Sequence, residues 1–122
     1  MRFLLIVTEV EDDWEHAPPG KSERVREQYE SVEKDLLARG KLIDSVQLSP
    51  RREARTLRNL SPDERILVHG PFVDARESMS GYYLIDCHSM DEAIEWAKRL
   101  PNFGHGSVEV RPIVENHTAA DY

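Results

Sequence analysis

An imidazole beside carboxyl groups is a minimal apparatus for moving a proton near neutral pH, and the stretch from His69 to Glu77 holds such a set. His69 is followed by Gly70 and Pro71, a rigid turn that can fix the direction of its ring. Asp74 and Glu77 fall in the same loop, so His69 could act as a general acid or base with Asp74 or Glu77 orienting it. Arg76 lies between them, and Arg111 follows much later in an alternating segment. Two guanidinium groups of this kind can clamp a small anionic organic ligand through paired hydrogen bonds. Glu109, two residues before Arg111, falls on the same side of a strand, because strand side chains repeat every two residues. Each of these residues also has a plainer reading. His69 then closes a turn or an edge, Asp74 finishes that turn, and Glu109 and Arg111 pair with Arg76 and Glu77 across an interface between two copies.

Other chemistries lack their marks. No two of His16, His69, His88, His105 and His117 stand four residues apart, and Cys87 is alone, so neither a metal site nor a disulfide is expected. No phosphate-cradling glycine loop, nucleophile elbow or dinucleotide fingerprint occurs, and no cofactor is expected. With 16 basic against 23 acidic residues and a net charge of −7, the chain is a poor partner for nucleic acid. The one basic run, Arg51, Arg52, Arg55 and Arg58 around Glu53, reads as a solvated hairpin edge. The longest apolar run, Phe3 to Val7, is too short to span a membrane and carries no cleavage site, which predicts a cytoplasmic protein.

The elements that must hold these residues are legible from periodicity. Residues 2–9 form an apolar strand of the kind buried on both faces, and 10–21 form an acidic, proline-closed loop containing Trp14 and His16. Ser22 caps a helix whose stripe is Val25, Tyr29, Val32, Leu36 and Leu37 and whose stop is Gly40. A strand over 42–48 ends at Pro50, and two weak strands, 54–57 and 65–68, flank the turn formers of 59–63. After a loop over 69–80 come a strand at 81–86, a capping box at Ser89-Met90-Asp91-Glu92 with its helix, and a last strand over 107–114. The order is β-α-β, an inserted hairpin, then β-α-β: a ferredoxin-like α+β domain over residues 1–115 with a tail at 116–122. Two helices can shelter only one face of the sheet. The first and third main strands are apolar on both, so a homodimer with sheets face to face is expected, with Phe72 and Tyr82 as packing residues and a cavity between the sheets rimmed by Glu109 and Arg111.

Four ordered motifs, His-Gly-Pro-Phe-Val-Asp-Ala-Arg-Glu at 69–77, Gly-Tyr-Tyr-Leu-Ile-Asp at 81–86, Asp-Glu-Ala-Ile-Glu-Trp-Ala at 91–97 and Ser-Val-Glu-Val-Arg-Pro-Ile at 107–113, give the chain a strong likeness to a known family. It resembles the YCII-related family in its DGPF-type branch. The resemblance implies a dimeric α/β barrel of ferredoxin-like protomers and a function still unassigned, with a His and an Asp meeting in a cleft in some members and an association of some relatives with sigma-factor regulators. The branch's leading Asp is His69 here and its usual Lys is Arg76. Two functions stand open: a small-molecule binding or regulatory module, and a cofactor-independent isomerase or lyase using His69.

Overall fold

A computed structural model describes residues 1–71 and 76–115. Strand β1 (Arg2–Val10) leads into a short helix α1 (Glu11–Glu15) and a long helix α2 (Lys21–Ala38). Strand β2 (Leu42–Gln47) follows, then a 3-10 turn at Arg51–Glu53 and the pair β3 (Arg55–Ser61) and β4 (Glu64–His69). Strand β5 (Glu77–Asp86), helix α3 (Met90–Lys98) and strand β6 (Ser107–Pro112) complete the order. The main sheet runs β2-β5-β1-β6 with every pairing antiparallel, while β3 and β4 form a separate two-stranded ribbon. This mixed α+β arrangement is consistent with a ferredoxin-like fold.

Alternation along β1 decides the layering. Phe3, Leu5 and Val7 point to one face and are buried with Ile85 of β5, Val32 and Leu36 of α2, and Ala93 and Trp96 of α3. Val108 and Val110 of β6 pack against the same core. The opposite face carries Leu4 and Ile6, paired across the ladder with Leu84 and Tyr82, and these side chains are only half-buried. Trp96, whose helical spacing fits a core or interface position, is a core residue, and the Cys87 thiol beside the core is pushed up from its ordinary pKa mainly by burial.

The capping box is real: the Ser89 hydroxyl accepts the Glu92 amide (3.2 Å), and the Glu92 carboxyl accepts the His88 amide (2.6 Å), one residue earlier than the usual reciprocal bond. Ser22, by contrast, is not the cap of α2. That position is Gly20, whose positive φ of 81° turns the chain into the helix without a side-chain bond. The acidic segment expected as loop contains α1, and β5 begins at Glu77 instead of 81, because a register shift beside Val7 and Thr8 lets the ladder continue. Among the described residues no helix is long and apolar enough to cross a membrane.

Candidate functional site

The core-facing alternation of β1 does not stop at Val7. Its next member is Glu9, only 3% exposed, and a carboxyl group taken out of water must find donors or cost several kcal/mol. Glu9 finds four. Oε1 accepts the Tyr29 hydroxyl (2.7 Å) and the Asn102 side-chain amide (3.2 Å), and Oε2 accepts the Trp14 indole N–H (3.3 Å) and the Phe103 backbone N–H (3.1 Å). The donors come from α2, from the link between α3 and β6, and from α1, so one carboxyl group ties three segments to the end of β1. Burial, and then the bond to Glu9, raise the Tyr29 phenol far above its ordinary pKa. The Trp14 ring packs on Phe103 at 4.5 Å between centroids, and the Arg26 guanidinium lies 5.3 Å over the Trp14 ring.

Beside this knot a cleft of about 450 Å³ opens between α2 and the β2–β5 end of the sheet, lined among others by Glu9, Trp14, Arg26, Tyr29, Glu33 and Tyr83. Its volume falls in the range of small-molecule sites. Glu11, Glu15 and Glu30 add further acids, against Arg26 as the single cation among the described lining residues. Several are already tethered: Glu33 accepts Ser45 Oγ (2.5 Å), and Glu11 accepts the Arg51 amide (2.6 Å), which pins the 3-10 turn to α1. Burial, then the nearby Glu33 charge, push the Tyr83 phenol up to about 12.

A second cluster lies on the other side of α1. Asp13 Oδ2 accepts the His105 backbone N–H (3.2 Å) and stands 3.0 Å from His105 Nδ1. The hydrogen bond from His105 holds the Asp13 carboxyl below its ordinary 3.8, with Arg76 adding a smaller attraction. A folded-state value below the unfolded one contributes stability that is whole above about pH 4 and is lost as pH falls through the lowered value. Replacing Asp13 with Asn should therefore erase part of the acid dependence in that window, and in hydrogen exchange the His105 amide should open roughly two- to tenfold more often at neutral pH. An unchanged amide would mean that the loop is held without Asp13. Nearby, Thr8 Oγ1 and Ser107 Oγ are 2.6 Å apart and lie 3.0 and 3.2 Å from Glu77 Oε1, so that one hydroxyl donates to the other, which donates to the carboxylate. At the surface Asp12, Glu15 and His16 each bring a potential ligand atom within 4.8 Å of the others, while His16 Nδ1 sits 3.1 Å from the Asp12 carbonyl.

Comparison with known proteins bears on this geometry. The model of the YCII-related domain matches residues 1–117, nearly the whole chain. The chain belongs to the YCII-related family. It is also similar to an uncharacterized protein of Rhizobium meliloti (strain 1021), 41% identical over 95 residues, covering 76% of each chain.

In this YCII-related chain the described residues among those singled out from sequence do not converge on one point. His69 ends β4, exposed, facing Arg55 across the ribbon, and among the described residues its side chain has no hydrogen-bond partner. Asp74 lies outside the described residues, as does Phe72. Arg76 reaches the field of Asp13, and Glu77 is engaged by Thr8 and Ser107. Glu109 and Arg111 pair with each other at 3.8 Å, both more than half exposed on the sheet face away from the helices. Sequence reading passed over Glu9, Tyr29, Asp13 and His105 as functional groups. The period-2 series Phe3, Leu5, Val7, Glu9 was the available signal for the first. Nothing local announces the pairing of Asp13 with His105, 92 positions apart.

Proposed function

We propose that this YCII-related protein, of the DGPF-type branch by its 69–77 motif, is a cytoplasmic homodimeric small-molecule binding module. In this reading the ligand sits in the cleft under α2. The observation that carries it is a buried Glu9 with both oxygens saturated, forming the rigid end wall of an open 450 Å³ cleft. Core carboxyl groups are costly, and one so thoroughly braced fits a prearranged site. The lining favours a small organic amine over an anion, since Glu30 and Glu33 face it with aromatic Trp14, Tyr29 and Tyr83. This differs from the anion-binding cavity between two sheets suggested by Glu109 and Arg111, because the cleft of a single chain opens on the helix side.

The homodimer is supported by the uncovered sheet face of Leu4, Ile6, Tyr82 and Leu84.

The test is a thermal-shift panel of small amines and small carboxylic acids, backed by native mass spectrometry. A binding amine at a hundred times its Kd should add about 2.7 kcal/mol of stability, and Glu33→Gln should remove most of that gain. Stabilisation by acids alone, or by nothing in either series, overturns the reading.

The contact between His105 and Asp13 favours a second reading, cofactor-independent acid–base catalysis with His105, not His69, as the base. It requires solvent deuterium to enter a small carbonyl acid in the presence of the protein. The exchange should disappear in His105→Ala and persist in His69→Ala; wild-type protein inert toward the whole panel rejects it.

A further inference from the structure

The polar residues that α2 contributes to the cleft fall on one narrow arc. Successive helical residues are set about 100° apart, so Arg26, Tyr29, Glu30 and Glu33 share an arc of about 100° beside the buried stripe of Val25, Val32 and Leu36. Along that arc the charge is ordered. Arg26, the single cation among the described lining residues, stands two turns before Glu33, and Tyr29 lies between them with its hydroxyl held by Glu9 (2.7 Å). Both ends keep unused bonding capacity. Glu33 Oε1 accepts the Ser45 hydroxyl (2.5 Å), and among the described residues Glu33 Oε2 and the hydroxyl of neighbouring Tyr83 have no hydrogen-bond partner. Arg26 forms no ion pair among the described residues, and its guanidinium lies 5.3 Å over the Trp14 ring. Stacking occupies the flat face of a guanidinium and leaves its N–H edge for a carboxylate.

A plain amine uses only one end of this arrangement. A carboxylate placed elsewhere in the cleft meets Glu11, Glu15, Glu30 or Glu33, and like charges repel, so Arg26 marks the one position where a negative group is favoured. We infer that the cleft takes a zwitterion, a short ω-amino acid whose ammonium group donates to Glu33 and the Tyr83 hydroxyl and whose carboxylate accepts from Arg26, with its methylene chain along the Tyr29 ring. The spacing sets the length. The two helical turns from Arg26 to Glu33 advance about 10.5 Å, and a charge-assisted hydrogen bond at each end takes up about 2.8 Å. The remaining distance of about 5 Å is the reach of about three or four methylene groups. An α-amino acid is too short to meet both charges, and a much longer chain carries its carboxylate past Arg26. The inference rests on the amine-binding reading proposed above and adds the ligand's second charge and its length.

Isothermal titration calorimetry of the full chain tests it, with n-butylamine, butanoate, glycine, 4-aminobutanoate and its methyl ester, 5-aminopentanoate and 8-aminooctanoate as probes. The better of 4-aminobutanoate and 5-aminopentanoate should bind at least about tenfold more tightly than n-butylamine, glycine or 8-aminooctanoate, the factor that one charge-assisted bond contributes. The methyl ester keeps the ammonium group and lacks the carboxylate charge, so it should fall back to the level of n-butylamine. In Arg26→Gln the tenfold advantage should vanish, while n-butylamine, relieved of a like charge, binds no more weakly. Equal affinity of n-butylamine and every amino acid overturns the zwitterion and leaves the amine reading standing. An advantage that survives in the ester or in Arg26→Gln does the same. Butanoate as the sole binder, or no binding by any probe, overturns both. Should Arg26→Gln fail to fold, the comparison of 4-aminobutanoate with its ester on the wild type decides.

Discussion

Glu9→Ala should cost the folded protein about 3 kcal/mol and lower its melting temperature by roughly 10 °C. Removing the carboxyl group strands four donors at once: the Tyr29 hydroxyl, the Asn102 amide, the Trp14 indole and the Phe103 N–H. Each lost bond to a charged or strongly polar acceptor is worth about 1–3 kcal/mol, but Tyr29 and Trp14 are only partly buried and recover some of this from water that enters the cleft. Glu9→Gln separates polarity from size. Trp14 and Phe103 can only donate, so the retained oxygen should stay with them and the new amide nitrogen should face Tyr29, whose hydroxyl can reverse and accept, while the Asn102 amide keeps the Thr8 carbonyl and gives up its bond to position 9. The loss should then be near 1 kcal/mol. Urea denaturation of the two variants, with Trp14 fluorescence as a local reporter, checks the order. A Gln variant as unstable as the Ala variant would mean that Tyr29 cannot reverse, and equal stability of all three proteins would mean that the carboxyl group braces nothing.

The legibility of this chain divides along the same line. Elements built from short-range periodicity were readable: the apolar run of β1, the stripe of α2 except Leu37, which points to solvent, the capping box of α3 and the valine alternation of β6 each need only three or four neighbouring residues. The inserted ribbon was also visible from its turn formers, though its strands run longer than their composition suggested, since cross-strand pairing carries Asn59 and Ser61 into β3. The site was not. Proton-transfer chemistry was sought at His69 because a histidine before Gly-Pro looks deliberately aimed, whereas the fold leaves it at the end of a ribbon. The Glu9 and Asp13 carboxyl groups acquire indole, phenol and imidazole partners 5, 20 and 92 positions away, contacts set by how α1 and the α3–β6 link fold back over the end of β1. Periodicity carries no information about such returns. What it did carry, and what was read as loop acidity, was the placement of Glu9 on the core-facing side.

The floor of the cleft offers the other large effect. Gly81→Ala should destabilise the protein by about 2–3 kcal/mol, against the usual sign of a glycine-to-alanine change, which by restricting the unfolded chain adds about 0.4–1 kcal/mol. Gly81 is buried in β5 between Val7 of β1 and Gln47 of β2, and a Cβ there would overlap the Val46 carbonyl oxygen and press on the Gln47 Cα at 3.3 Å. Both obstacles are backbone, so no side-chain rotation relieves them. Only β2 can move, because β1 is fixed on its far side by β6. The strain should therefore show where β2 leaves the sheet, as faster exchange of the Leu48 amide, which now donates to the Ser80 carbonyl at 2.7 Å. Val46, Gln47, Leu48 and Gly81 all line the cleft, so the same displacement should weaken an amine ligand together with the fold. Denaturation and binding measured on one variant thus bear on a single question, whether the cleft has a rigid floor. A stable Gly81→Ala protein with an unchanged Leu48 amide would answer that it does not, and preorganisation by Glu9 would then brace only one wall of a yielding space.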